Sequence, residues 1–128
     1  MNKKVVSTRK SPSAIGPYSQ AIRFDNLVFV SGQIPIDPKS GDILKDNIKE
    51  QTKQVLENLK NILEASGSSL QNVLRTTIYL TKIENYTMIN ETYAQYFEGS
   101  PPARSTVQVS RLPKDANIEI DAIACINK

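Results

Sequence analysis

The sequence predicts an α+β fold in which two helices pack on one face of a mixed, mostly antiparallel sheet of five to six strands. Three observations predict it. Two stretches, from about Asn47 to Ala65 and from about Glu84 to Phe97, carry apolar residues at helical spacing. Short runs rich in β-branched and aromatic residues lie before, between and after them. No linker separates these segments, so residues 1–128 read as one domain, a length near the common domain size. Such a chain buries roughly two thirds of its unfolded surface, enough for one hydrophobic core.

The elements follow in order. Val5-Val6-Ser7 is a short strand, followed by a loop through Lys10 to Ser13. Gly16-Pro17 makes an ordered turn ahead of Tyr18, because a rigid proline follows a permissive glycine. Ala21 to Phe24 and Leu27 to Ser31 form a hairpin across Asp25-Asn26, residues that tolerate the backbone angles of a two-residue turn. Gly32-Gln33-Ile34-Pro35 leaves that strand, and Asp37 to Asp42 is a loop.

Asn47 followed three residues later by Glu50 resembles a capping box, with Asp46 as an alternative cap. The helix beyond it presents Ile48, Val55, Leu56, Leu59, Ile62 and Leu63 as one stripe and stops at Ser66-Gly67. Val73 to Leu80 is the strongest strand. The second helix is expected to bury Ile83, Tyr86, Ile89, Tyr93 and Phe97. Gly99-Ser100-Pro101-Pro102 breaks the chain before strands from Arg104 to Val109 and from Ile118 to Ile126.

The last strand directs Ile118, Ile120, Ala122, Ala124 and Ile126 to one face, under the helices. Its other face carries Glu119, Asp121, Ile123 and Cys125, polar at one end and apolar at the other. A face of that kind is awkward in water, and a partner subunit is the expected cover.

Composition narrows the chemistry. There is no histidine and one cysteine, Cys125, so histidine-based triads, cysteine–histidine pairs, cysteine clusters and an internal disulfide are all excluded. Cys125 reads as a small buried filler. The net charge of +3 is mild and its 16 basic residues are interspersed with acids, which describes a solvated surface better than a nucleic-acid footprint. Phosphate-binding and dinucleotide glycine motifs are missing. No apolar run reaches the ~20 residues of a membrane helix. Met1 to Val5 is positively charged without the apolar stretch of a secretory signal, so a cytoplasmic location is expected.

Acid–base work must therefore fall to carboxylates, tyrosines, lysines, water or backbone groups. Arg104, stiffened by Pro101-Pro102 at the start of a strand, offers a rigid fork for a carboxylate, although a surface or intersubunit ion pair is an equally ordinary use. Glu119, between two isoleucines, is either a solvated edge carboxylate or a water-handling group beside a closed pocket. Tyr18 and Ser31 lie where ligand contacts are easily placed, and Gly32 permits close approach or serves a bend. Asn90, mid-helix, either faces water or has a partner for its amide.

Four segments together resemble the YjgF/Rid family, and specifically its imine deaminase branch. They are Ile15-Gly16-Pro17-Tyr18-Ser19-Gln20-Ala21, Phe29-Val30-Ser31-Gly32-Gln33-Ile34-Pro35, Pro102-Ala103-Arg104-Ser105-Thr106-Val107 and Ile118-Glu119-Ile120-Asp121-Ala122. The resemblance implies a chorismate-mutase-like fold and a homotrimer with a ligand cleft at each subunit boundary. It implies hydrolysis of 2-imino and enamine acids, such as 2-iminobutanoate and 2-iminopropanoate, to 2-oxo acids and ammonia, with no metal or cofactor. Arg104 matches the position that holds the substrate carboxylate and Glu119 the one that handles water, while Tyr18, Ser31, Gly32, Asn90 and Thr106 match pocket-lining positions. Thr106 stands where close relatives often have cysteine, and the loop from Phe97 to Arg104 is shorter than in some members. Two competing readings are a small-metabolite-binding regulatory protein using the same cleft and a ribonuclease-like translation inhibitor.

Overall fold

The computed structural model describes residues 3–45 and 47–126. Six strands form one sheet: β1 (Lys4–Val6), β2 (Ala21–Phe24), β3 (Leu27–Gln33), β4 (Val73–Leu80), β5 (Ala103–Gln108) and β6 (Ile118–Cys125), in the spatial order β1-β2-β3-β6-β4-β5. Among the described residues only the β4–β5 pair is parallel; its crossover contains α2 (Tyr86–Tyr96), while α1 (Ile48–Ala65) links β3 to β4. This is the mixed, mostly antiparallel α+β arrangement expected from the sequence.

The start and stop of α1 are written in its end residues. The Asn47 side chain accepts the Glu50 backbone N–H at 2.9 Å, satisfying one of the donors left open at a helix start. Asp46, the alternative cap, lies outside the described residues. At the other end Gly67 adopts φ +83°, and the N–H groups of Gly67 and Ser68 return to the carbonyls of Glu64 and Leu63. That pair of bonds is a Schellman motif, which only a residue at ease in the left-handed region forms cheaply. All six residues of the expected stripe are buried.

The core lies between α1, α2 and one face of the sheet. Val28, Val30, Ile78, Leu80, Ile118, Ile120, Ala122 and Ala124 meet the helices there. The second helix differs from its sequence reading at its start. A 3-10 turn, Ile83–Asn85, precedes α2 and shifts the helical phase. Ile83 is 46% exposed and Tyr86 39%, whereas Ile89, Tyr93 and Phe97 are buried as expected. Strand β3 also runs two residues past Ser31, to Gln33, through an irregular register with β6 between Val30 and Gln33.

Among the described residues no helix covers the other face of the sheet. Phe29 and Val107 are each more than 40% exposed there, beside the polar row Thr77, Tyr79, Glu119 and Asp121. Among the described residues no helix is long and apolar enough to cross a membrane.

Candidate active site

Side-chain direction in a sheet follows from register, because paired residues on neighbouring strands point to the same face. In β4, Thr76, Ile78 and Leu80 are buried under the helices, which leaves Arg75, Thr77 and Tyr79 on the uncovered side. Arg104 pairs with Thr76 and Thr106 with Ile78, so both belong to the helix side. Glu119 pairs with Tyr79 and Asp121 with Thr77, so both belong to the uncovered side. Within one chain the expected convergence of Arg104 and Glu119 does not occur. The candidate residues separate into two clusters.

The first cluster is built on β5 and α2. The Arg104 guanidinium carbon lies 4.9 Å from the ring centroid of Tyr93 and 5.6 Å from that of Tyr86, close enough for the ring faces to attract the cation. Its Nη2 donates to the Tyr86 hydroxyl at 3.1 Å. Tyr93 is itself fixed, because its hydroxyl shares a 2.7 Å hydrogen bond with the buried Thr76. Burial raises the Tyr93 pKa above its usual value, while the neighbouring Asn90 amide and then the charge of Arg104 lower that of Tyr86. Asn90 and Thr106 each bring a buried oxygen without a hydrogen-bond partner, Oδ1 and Oγ1 respectively. The cluster therefore holds an oriented, ring-backed guanidinium with acceptor oxygens nearby. Such an arrangement can pair with a carboxylate.

The second cluster surrounds Glu119. It lines a cavity of about 310 Å³, open to solvent, with Tyr18, Ser31, Gly32 and the apolar residues Pro12, Ile15 and Ile34 among its walls. The Glu119 pKa is raised, first by burial and then by the nearby charge of Asp121. Asp121 accepts a hydrogen bond from the Tyr79 hydroxyl at 3.1 Å. Glu119 itself packs directly on Gly32: a Cβ there would come within 2.7 Å of the Glu119 carboxyl carbon. The glycine serves this contact, and its φ lies outside the left-handed region.

Local hydrogen bonds hold the remaining walls. The Ser31 hydroxyl donates to the Ser19 carbonyl at 2.6 Å, and the Ser31 N–H donates to the Gln20 carbonyl at 3.0 Å. The Tyr18 hydroxyl accepts the Ile15 N–H at 3.2 Å, which closes the turn that Gly16-Pro17 begins. Two organising residues carry no functional signal in the sequence. Buried Gln20 accepts from the Thr8 N–H and donates to the carbonyls of Thr8, Ser11 and Pro12, shaping the loop above the cavity. Fully buried Asn58 donates to the Ile36 carbonyl at 2.9 Å and so ties α1 to the cavity floor. The one sequence cue that could have found Asn58 is a polar side chain in the middle of an apolar stripe. The chemistry available in this cluster is proton exchange by a carboxyl group whose affinity for its proton is enhanced.

Cys125 is half-buried, its thiol 3.6 Å from the Asn72 carbonyl, and far from both clusters in the sheet. Among the described residues no group of three or more potential metal ligands exists.

Comparison with known proteins places this architecture. The profile of the endoribonuclease L-PSP family matches residues 8–126. A RutC family protein of Pyrococcus horikoshii is 57% identical over 122 residues, covering 95% of this chain and 97% of its own. The human 2-iminobutanoate/2-iminopropanoate deaminase is 46% identical, covering 95% of this chain and 89% of its own. The crystal structure of Escherichia coli TdcF with bound serine superposes with a TM-score of 0.92 at 40% identity, covering 97% of this chain and 99% of that one. The fold, the order of the motifs and these similarities agree: the chain belongs to the YjgF/Rid family, whose profile carries the endoribonuclease L-PSP description.

Proposed function

We propose that this protein hydrolyses 2-imino and enamine acids, such as 2-iminobutanoate and 2-iminopropanoate, to 2-oxo acids and ammonia, as a homotrimer with a ligand cleft at each subunit boundary. The observation that carries the reading is the division of the site. Arg104 stands on the helix side of the outer strand β5, and Glu119 stands on the opposite face of the sheet. Copies arranged head to tail in a closed ring would set Arg104 of one against Glu119 of the next. The exposed Phe29 and Val107 on the uncovered face support an interface there. The names of the human relative and the serine-bound TdcF support a small amino-acid-like ligand.

In this arrangement Arg104 binds the substrate carboxylate and fixes the imine carbon beside a water held by Glu119. Water adds to that carbon, and its proton passes to Glu119 as the C=N double bond becomes single. Glu119 returns the proton to the nitrogen of the resulting carbinolamine. Ammonia then leaves as the remaining hydroxyl collapses to C=O, its proton passing through the again ionised Glu119 to the departing nitrogen. A carboxyl whose pKa is raised toward working pH suits both halves of this exchange, because it takes a proton more readily than an ordinary glutamate. Tyr18, Ser31, Gly32, Asn90 and Thr106 shape the two halves of the cleft.

The test is 2-oxobutanoate release from freshly generated 2-iminobutanoate, measured against buffer. Arg104→Ala is expected to abolish the acceleration with the oligomer intact, and Glu119→Gln to lower kcat more than binding. Wild-type turnover by Arg104→Ala contradicts the assignment, and an unchanged kcat in Glu119→Gln removes that residue from water handling.

A further inference from the structure

Tyr86 was expected in the core and is instead exposed beside the guanidinium that the proposed function uses. Its position is set by α2, of which it is the first residue. The 3-10 turn before it carries the ring out to Arg104. Its phenol oxygen has two acceptor sites. Arg104 Nη2 donates to that oxygen at 3.1 Å.

A guanidinium has donors and no acceptor, so the Tyr86 O–H has to donate away from Arg104. It is exposed, so that direction leads to open space beside the guanidinium. An anion on Arg104 occupies the same space. We infer that the Tyr86 hydroxyl is a second reader of the substrate carboxylate, donating a hydrogen bond to the anion that Arg104 holds. The inference rests on the proposed carboxylate role of Arg104 and adds a specificity-determining residue to it.

The titratable groups around the phenol are Arg104 from β5 and, across the guanidinium, Tyr93 from α2. Tyr93 has a raised pKa and Tyr86 a lowered one, so Tyr86 is the first of the two to ionise as pH increases. Ionisation converts a donor to the carboxylate into a like charge beside it. Affinity for a carboxylate therefore weakens below pH 10.0, the ordinary tyrosine value, and through Tyr86.

Tyr86→Phe is the test, because phenylalanine keeps the ring against the cation and removes only the hydroxyl. The probe is 2-oxobutanoate, a stable carboxylate, titrated calorimetrically into the intact protein from about pH 7 to about pH 10. At the lower end the variant is expected to bind about tenfold more weakly, the loss of one hydrogen bond to a charged group. Its KM for 2-iminobutanoate rises by a similar factor while kcat changes much less, and the melting temperature and oligomer mass stay at wild-type values. The alkaline loss of affinity seen in wild type disappears in the variant. Equal affinity of the two proteins at the lower end, or the same alkaline loss in both, overturns the inference. Arg104→Ala separates the two levels of argument. If wild type is active, Arg104→Ala is dead and Tyr86→Phe behaves as wild type, only Tyr86 has been misassigned. If wild type neither binds 2-oxobutanoate nor hydrolyses the imine, the proposed function fails and Tyr86 fails with it.

Discussion

Replacing Gly32 with alanine perturbs the site through a single atom. The added Cβ would sit 2.7 Å from the Glu119 carboxyl carbon and 3.0 Å from its Cγ, against about 3.4 Å for ordinary contact. The carboxyl carbon must therefore withdraw by about 0.7 Å, the difference between 3.4 and 2.7, and the nearer oxygen by more. Backbone strain adds nothing, since Gly32 is outside the left-handed region. The displaced atoms belong to a side chain at a cavity wall, so it yields more easily than a packed core would. The stability cost is expected at or below the about 1–3 kcal/mol typical of overpacking. Catalysis is less forgiving, because misplacing a reacting group by about 1 Å can cost about 10²-fold. Gly32→Ala is thus expected to lower kcat for 2-iminobutanoate by about two orders of magnitude while melting near the wild-type temperature. In a Glu119→Ala background the same change should remove little further activity, because the group it displaces is gone. A Gly32→Ala protein with wild-type kcat would show that the position of Glu119 against this glycine has no part in the reaction.

Two further outcomes follow from the same geometry. The Glu119 pKa is raised above 4.5 in the folded protein, so the native state binds that proton more tightly than the unfolded chain and stability falls as pH rises from the unfolded toward the folded pKa. Denaturant unfolding of Glu119→Gln should match wild type below about pH 4 and show the greater stability at about pH 7. Asn58→Ala leaves the buried Ile36 carbonyl without its donor and should cost about 1–3 kcal/mol, measured as a lower urea midpoint with unchanged slope.

The parts of this fold that were legible in the sequence are those fixed by local rules. Asn47, the stripe from Ile48 to Leu63 and Gly67 specify α1 through a cap, a period and a left-handed stop, and each was found where expected. The β-branched run Val73–Leu80 specified β4 to the residue. The phase of α2 was not legible, because a 3-10 turn ahead of it changes which side chains face the sheet. Gly32 read as a strand end, but strand β3 continues past it because the missing side chain makes room for a carboxylate 87 positions away in sequence. The relation between Arg104 and Glu119 required long-range information of the same kind. Alternation gave the faces within each strand, but the registers of β5 and β6 on β4 decide which faces coincide, and a one-residue slip reverses the answer. Both residues stood out as chemistry-bearing types; that they stand on opposite faces could be seen only in the assembled sheet.

The central claim, that a complete site takes Arg104 from one copy and Glu119 from another, is tested most directly by mixing two inactive proteins. Arg104→Ala and Glu119→Gln, co-refolded in equal amounts, form mixed oligomers whose presence native mass spectrometry can verify. With random assembly about one boundary in four pairs an intact Arg104 with an intact Glu119, so about a quarter of wild-type 2-iminobutanoate hydrolysis is expected to return. Verified mixed oligomers with no more activity than either parent would contradict the shared site.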